Sequence, residues 1–165
     1  MKPGNFILVQ NFDPIGQGIA FFEHNGFTHA ALVSGEGKVI EATAQGIQEN
    51  ALNYERYAVF EFVDATDEQL KGMVEFGRSR LGEGYSFRQD AGFAVNAILE
   101  EMGFERISGL LAEKNKIVCS AFIDLCARSQ GIVVRPDRKP GDVTPPGLSY
   151  STKVRLVENH NLWEL

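Results

Sequence analysis

The sequence predicts an α+β domain in which an antiparallel sheet is packed by helices. Three observations carry that expectation. Short runs rich in β-branched and aromatic residues recur at Phe6–Val9, Phe27–Val33, Val39–Thr43 and Tyr57–Val63. Two of these flank a short Gly-rich linker, the pattern of a hairpin and therefore of antiparallel pairing. The later half carries apolar residues at helical spacing. With 165 residues, 44% hydrophobic and 23% charged, the chain can bury a core of its own, and one domain over residues 1–165 is expected.

In chain order, Phe6-Ile7-Leu8-Val9 follows a Pro-Gly turn and reads as a buried strand. Residues Asn11 to Phe27 are a loop or short helix. Gly16-Gln17-Gly18 within it lacks the Gly-Lys-Ser/Thr ending of a phosphate loop and reads as a tight turn. The hairpin comes next, Phe27-Thr28-His29-Ala30-Ala31-Leu32-Val33 and Val39-Ile40-Glu41-Ala42-Thr43, joined through Ser34-Gly35-Glu36-Gly37-Lys38. After the Tyr57–Val63 strand, Thr66 and Gln69 form a capping-box pattern, and Asp67 and Glu68 suit a first helical turn. Leu70, Met73, Val74, Gly77 and Leu81 then trace one apolar stripe that ends at Gly82. A second helix is expected from about Asp90 to Met102, with Gly103 as its stop, and Leu110-Leu111 suggests a short helical turn. A third helix carries Phe122, Leu125 and Cys126 at helical spacing and closes at Gly131. Ile132-Val133-Val134 is expected as a short strand, Thr144-Pro145-Pro146-Gly147-Leu148 as a fixed turn docking Leu148 on the core, and Val154–Val157 as the last strand.

Composition narrows the function classes. A net charge of −6 without any basic run argues against nucleic acid as partner. The two cysteines, Cys119 and Cys126, match neither a disulfide framework nor the spacing of zinc ligands, so free thiols, no metal and a reducing compartment are expected. The opening apolar run, Phe6 to Val9, is too short for a signal peptide, and no run of about 18 apolar residues exists to span a membrane. A cytoplasmic location follows, unless another component delivers the protein outside.

Three residues stand out chemically. The Ile117-Val118 pair delivers Cys119 to what reads as the first turn of the third helix, where unpaired N–H groups and the macrodipole favour a thiolate over a thiol. The same groups could hold a developing oxyanion. The plain alternative is a buried cysteine acting as a small hydrophobe, and Cys126, two turns further along, reads that way. On the hairpin, His29 and Glu41 are both odd-numbered. An odd-length loop would give an even register sum and put both on one face, opposed or one diagonal step apart; a two- or four-residue loop would separate them. Each is out of place in an apolar strand unless the other is its partner. A structural pair at a sheet edge is the competing explanation. His24 and His160 lie in polar surroundings and read as solvated.

Thiol, imidazole and carboxylate together make the nucleophile, base and orienter of covalent acyl transfer. Their order is His, Glu, Cys, whereas the usual papain arrangement puts the cysteine first, on a helix preceding the sheet; circular permutation of that fold would give the order found here. In this the sequence resembles the permuted papain-fold relatives of the NlpC/P60 cysteine peptidases, the YiiX/YaeF-like group, more distantly akin to lecithin retinol acyltransferases. The likeness is carried by Phe6–Gln10, Phe27–Val33, Val39–Ala42, Leu81-Gly82-Glu83-Gly84-Tyr85, Val118-Cys119-Ser120 and Thr144–Leu148. It implies a circularly permuted papain-like (NlpC/P60) fold, with Cys119 attacking, His29 moving the proton and Glu41 holding the imidazole. It also implies a place near the substrate or oxyanion for Tyr85 and Ser120, and no cofactor. The chain departs from the group at Tyr85-Ser86, where relatives often have Tyr-Asp, and at Val118-Cys119-Ser120-Ala121, where they have Tyr-Cys-Ser-Glu. Both changes touch the pocket wall.

The function expected is a cysteine peptidase or amidase cleaving an amide bond, such as one in a cell-wall peptide, through an acyl-enzyme. A second reading keeps the site but makes it an acyltransferase or thioesterase on lipid-like acyl groups. A third is an inactive papain-like binding module in which Cys119 is a buried thiol.

Overall fold

The structure is a computed structural model that describes residues 1–10, 26–43, 45–83, 114–138 and 143–162. Six strands of the described chain form one sheet in which every pairing is antiparallel. They are β1 (Phe6–Val9), β2 (His29–Gly35), β3 (Lys38–Thr43), β4 (Gly46–Ala51), β5 (Tyr57–Phe62) and β6 (Val154–His160), and the order across the sheet is β4-β3-β2-β1-β5-β6. Helices α1 (Asp67–Ser79), α2 (Lys114–Arg128) and the short α3 (Pro145–Ser149) complete the described elements. The mixed architecture expected from the sequence is therefore present. The expected helix from Asp90 to Met102, the Leu110-Leu111 turn, the Gly16–Gly18 turn, His24 and Tyr85 lie outside the described residues.

Strand β1 is central and fully buried, which explains why its four residues are all apolar rather than alternating. One face of the sheet presents Phe6, Leu8, Leu32, Ile40 and Phe60 to Leu70 and Met73 of α1 and to Phe122 and Leu125 of α2. The opposite face gathers Ile7, Val9, Ala31, Val33, Val39 and Val59, with Leu52 and Tyr54 packed against them. Gly77 permits the close approach of α1, because a Cβ there would lie 3.2 Å from Ile40 and 3.4 Å from both Leu32 and Phe122.

Helix α1 starts as expected. Thr66 accepts from the Gln69 N–H while the Gln69 side chain accepts from the Thr66 N–H, a complete capping box. The chain leaves the helix through Gly82 at φ 80°.

Several expectations need correction. Strand β4 was not foreseen, because Gln48, Glu49 and Asn50 are poor strand formers and only the edge position and pairing with β3 sustain it. Ile132-Val133-Val134 makes no strand; it is an irregular connection that buries Val134. Thr144–Leu148 docks Leu148 in the core as expected, but as helix α3, with Thr144 capping the Gly147 N–H. Strand β6 runs three residues beyond Val157, to His160.

Gly4 is the backbone position most sensitive to substitution. Its φ is 89°, and a Cβ would fall 2.6 Å from the Leu70 Cβ and 2.8 Å from the Leu70 backbone. Gly4→Ala should therefore destabilise by about 3 kcal/mol or more, lowering Tm by roughly 6–12 °C. Gly37 also has positive φ, at 63°, but open space around it, so Gly37→Ala should cost only about 1–2 kcal/mol. Thermal melts of the two variants separate the contact from the backbone contribution, and equal losses would contradict it.

Candidate active site

The hairpin brings His29 and Glu41 together by a route the sequence reading did not foresee. The turn is the two residues Glu36-Gly37, since Gly35 pairs with Lys38, and that register alone would put His29 and Glu41 on opposite faces. A β-bulge between Val33 and Gly35 shifts the register by one residue, so that Val33 pairs with Val39 and Leu32 with Ile40. Continued down the strands, this places Glu41 one diagonal step from His29. His29 Nε2 then donates to Glu41 Oε2 at 2.7 Å.

Glu41 is 5% exposed and needs its donors. Asn50 Nδ2 donates to Oε1 at 2.9 Å, and the Tyr54 hydroxyl donates to Oε2. Burial alone would push the Glu41 carboxyl up. The hydrogen bonds from His29, Tyr54 and Asn50, with the His29 charge, outweigh it and hold the carboxyl below its ordinary range. Tyr54 is driven the other way, well above an ordinary phenol, by burial and then by its bond to Glu41, so it remains a donor.

His29 hydrogen-bonds Cys119 as well as Glu41. Burial would depress the imidazole, but the charge of Cys119 and its hydrogen bond, followed by those of Glu41, raise it from 6.5 to about 10. His29 is the first residue of β2, at the end of the sheet, where α2 packs against the strand. From there it reaches Glu41 on one side and Cys119 on the other.

Cys119 itself departs from the expectation. The described part of helix α2 runs from Lys114 to Arg128, so Cys119 lies at least five residues inside the helix, beyond its first turn. N–H groups that deep are bonded to carbonyls one turn back, and the macrodipole acts mainly within the first turn. The helix terminus therefore gives Cys119 neither the activation nor the oxyanion donors that a first-turn position offers. The neighbour that acts on it is His29.

Cys119 is fully buried, and of the three residues His29, 19% exposed in its side chain, faces solvent. Ser120 is buried too, and its hydroxyl donates to the Val143 carbonyl, tying α2 to the segment before α3. Cys126 is core, as expected, and burial pushes its thiol far up. His160 is not simply solvated: its ring stacks on Tyr57 with centroids 4.3 Å apart and bonds Glu158 at 3.1 Å. Beside it opens a groove of about 380 Å³, lined by Tyr54, Glu55, Arg56, Tyr57, His160 and Asn161.

Asn50 and Tyr54 escaped the sequence reading. Asn50 opposes Val39 and so stands on the face of Glu41, a parity that becomes visible only once β4 is recognised as a strand.

No family model matches the chain. The probable lipoprotein peptidase YaeF of Escherichia coli K12 is 23% identical over 147 residues, an alignment covering 74% of this chain and 54% of that protein. The chain thus spans about half the length of the curated relative it matches. Among solved structures, that of the metalloprotein YiiX of Escherichia coli O157:H7 superimposes with a TM-score of 0.65 at 14% identity, covering 96% of this chain and 97% of that one.

Proposed function

We propose, from the YiiX/YaeF-like family assignment that both likenesses support, that this chain is a cysteine hydrolase of amide bonds. The observation that carries the reading is His29 bonded to Cys119 on one side and Glu41 on the other. A peptidase name on YaeF points to the same reaction class. The strand-borne His and Glu preceding the helix-borne Cys is the chain order of a permuted papain-like fold, which we propose for the whole domain.

In this mechanism the Cys119 thiolate attacks the carbonyl carbon of a peptide or similar acyl amide, forming a C–S bond. The C–N bond breaks as the His29 imidazolium gives its proton to the leaving amine. Water then attacks the thioester, its proton passes to His29, and the acid product leaves as the thiolate is restored. Glu41 fixes the imidazole orientation and stabilises its charged form.

YiiX is named a metalloprotein, but the described residues here do not fit a metal site. Among the described residues no group of three or more His, Cys, Asp or Glu could hold an ion. Both Glu41 oxygens and His29 Nε2 are already taken by hydrogen bonds to one another and to Tyr54 and Asn50. No step is routed through a metal.

Short acyl amides and activated acyl esters should therefore leave an acyl adduct on Cys119 in the denatured mass spectrum, at a rate unchanged by chelators. Turnover that persists in Cys119→Ser, or that chelation abolishes, contradicts the proposal.

A further inference from the structure

Glu41 is held by more than its histidine. Asn50 takes one carboxylate oxygen at 2.9 Å, and Tyr54 shares the other with His29. The Tyr54 ring also lies against the His29 ring, centroids 5.8 Å apart at 47°, where it limits rotation of the imidazole. The segment that presents these groups is itself pinned. Leu52 N–H donates to the Gly37 carbonyl at 2.8 Å, and Gln10 N–H to the Arg56 carbonyl at 3.0 Å, so residues 52–56 are fastened to the β2–β3 turn and to the end of β1.

We infer that Asn50 and Tyr54 are positioning residues that keep Glu41 ionised and aimed at His29. A carboxylate with free torsions would turn its oxygens toward water; three donors on two oxygens leave it one orientation. Strand β4 and the loop after it thus form the outer wall of the catalytic unit, acting on Cys119 through Glu41 and His29. The inference rests on the hydrolase reading.

Tyr54→Phe removes only the hydroxyl, and Asn50→Leu keeps the shape of the side chain without its donor. In each variant Glu41, followed by carboxyl ¹³C NMR, should bind its proton about tenfold more tightly than in the wild type. The acid limb of Cys119 alkylation should move to higher pH with it, and further in the double variant. A purely structural role would lower Tm and leave both profiles in place. If wild-type Cys119 reacts but both single variants keep the wild-type profiles, the positioning inference is overturned and the hydrolase reading stands. A wild-type Cys119 inert at every pH overturns the hydrolase reading itself, and the inference with it.

Discussion

Replacing Cys119 by serine should lower kcat/KM by about 10⁴-fold or more, with the fold unchanged. The change swaps one buried atom for a slightly smaller one, so packing against α2's neighbours is nearly conserved. The chemistry is not. A serine hydroxyl holds its proton far more tightly than a thiol, so no alkoxide forms beside His29 to take the place of the thiolate in the ion pair. Cys126→Ser is the control: that residue is equally buried, lies in the core and takes no part in the proposed reaction. Activity retained in Cys126→Ser and lost in Cys119→Ser, with similar melts for both, is the expected pattern. Equal losses in the two variants would mean that core disruption, rather than chemistry, is being read.

His29→Ala should cost about 10³-fold or more in kcat/KM, and its larger signature is in pH dependence. The imidazole is raised from 6.5 to about 10, burial opposing and the charges of Cys119 and Glu41 prevailing. A group whose folded value lies above its unfolded one contributes stability that is complete below the unfolded value, here 6.5, and drains away as pH climbs through about 10. The wild type should accordingly lose Tm across the upper part of that window, and kcat/KM should show its alkaline limb near 10. In His29→Ala that component of the melting curve should vanish. An alkaline limb near an ordinary histidine value would contradict the pairing.

Much of this architecture is written locally in the chain. The capping box at Thr66 and Gln69, the fully apolar β1, the buried Leu148 and the core role of Cys126 follow from side-chain chemistry within a few residues, and each appears where that chemistry put it. The parts that escaped depend on partners distant in sequence. Strand β4 is polar and exists because β3 offers it an edge. Residues 132–134 have strand chemistry and no strand to pair with among the described residues.

The site shows both sides of this division. The mutual need of His29 and Glu41 was legible as two polar groups in apolar strands, but turn length alone would join them only across an odd-length turn. The turn has two residues, and the bulge at Val33–Gly35 supplies the missing register shift. The helix start was misplaced because Ile117 and Val118 are β-branched and look like the end of a strand, whereas residues 114–118 are already helical. Placing Cys119 one turn deeper moves its activation from the helix terminus to His29. Asn50 and Tyr54 became visible only with the sheet in hand.

The central claim is the coupling of Cys119 to His29, and the rate of Cys119 alkylation by iodoacetamide against pH tests it most directly. It would be measured in the wild type and His29→Ala, with Cys119→Ser subtracting Cys126. The account predicts that Cys119 reacts in the wild type and that its profile moves to higher pH when His29 is removed. A Cys119 that stays unreactive in both proteins, or one whose profile ignores the loss of His29, would contradict it.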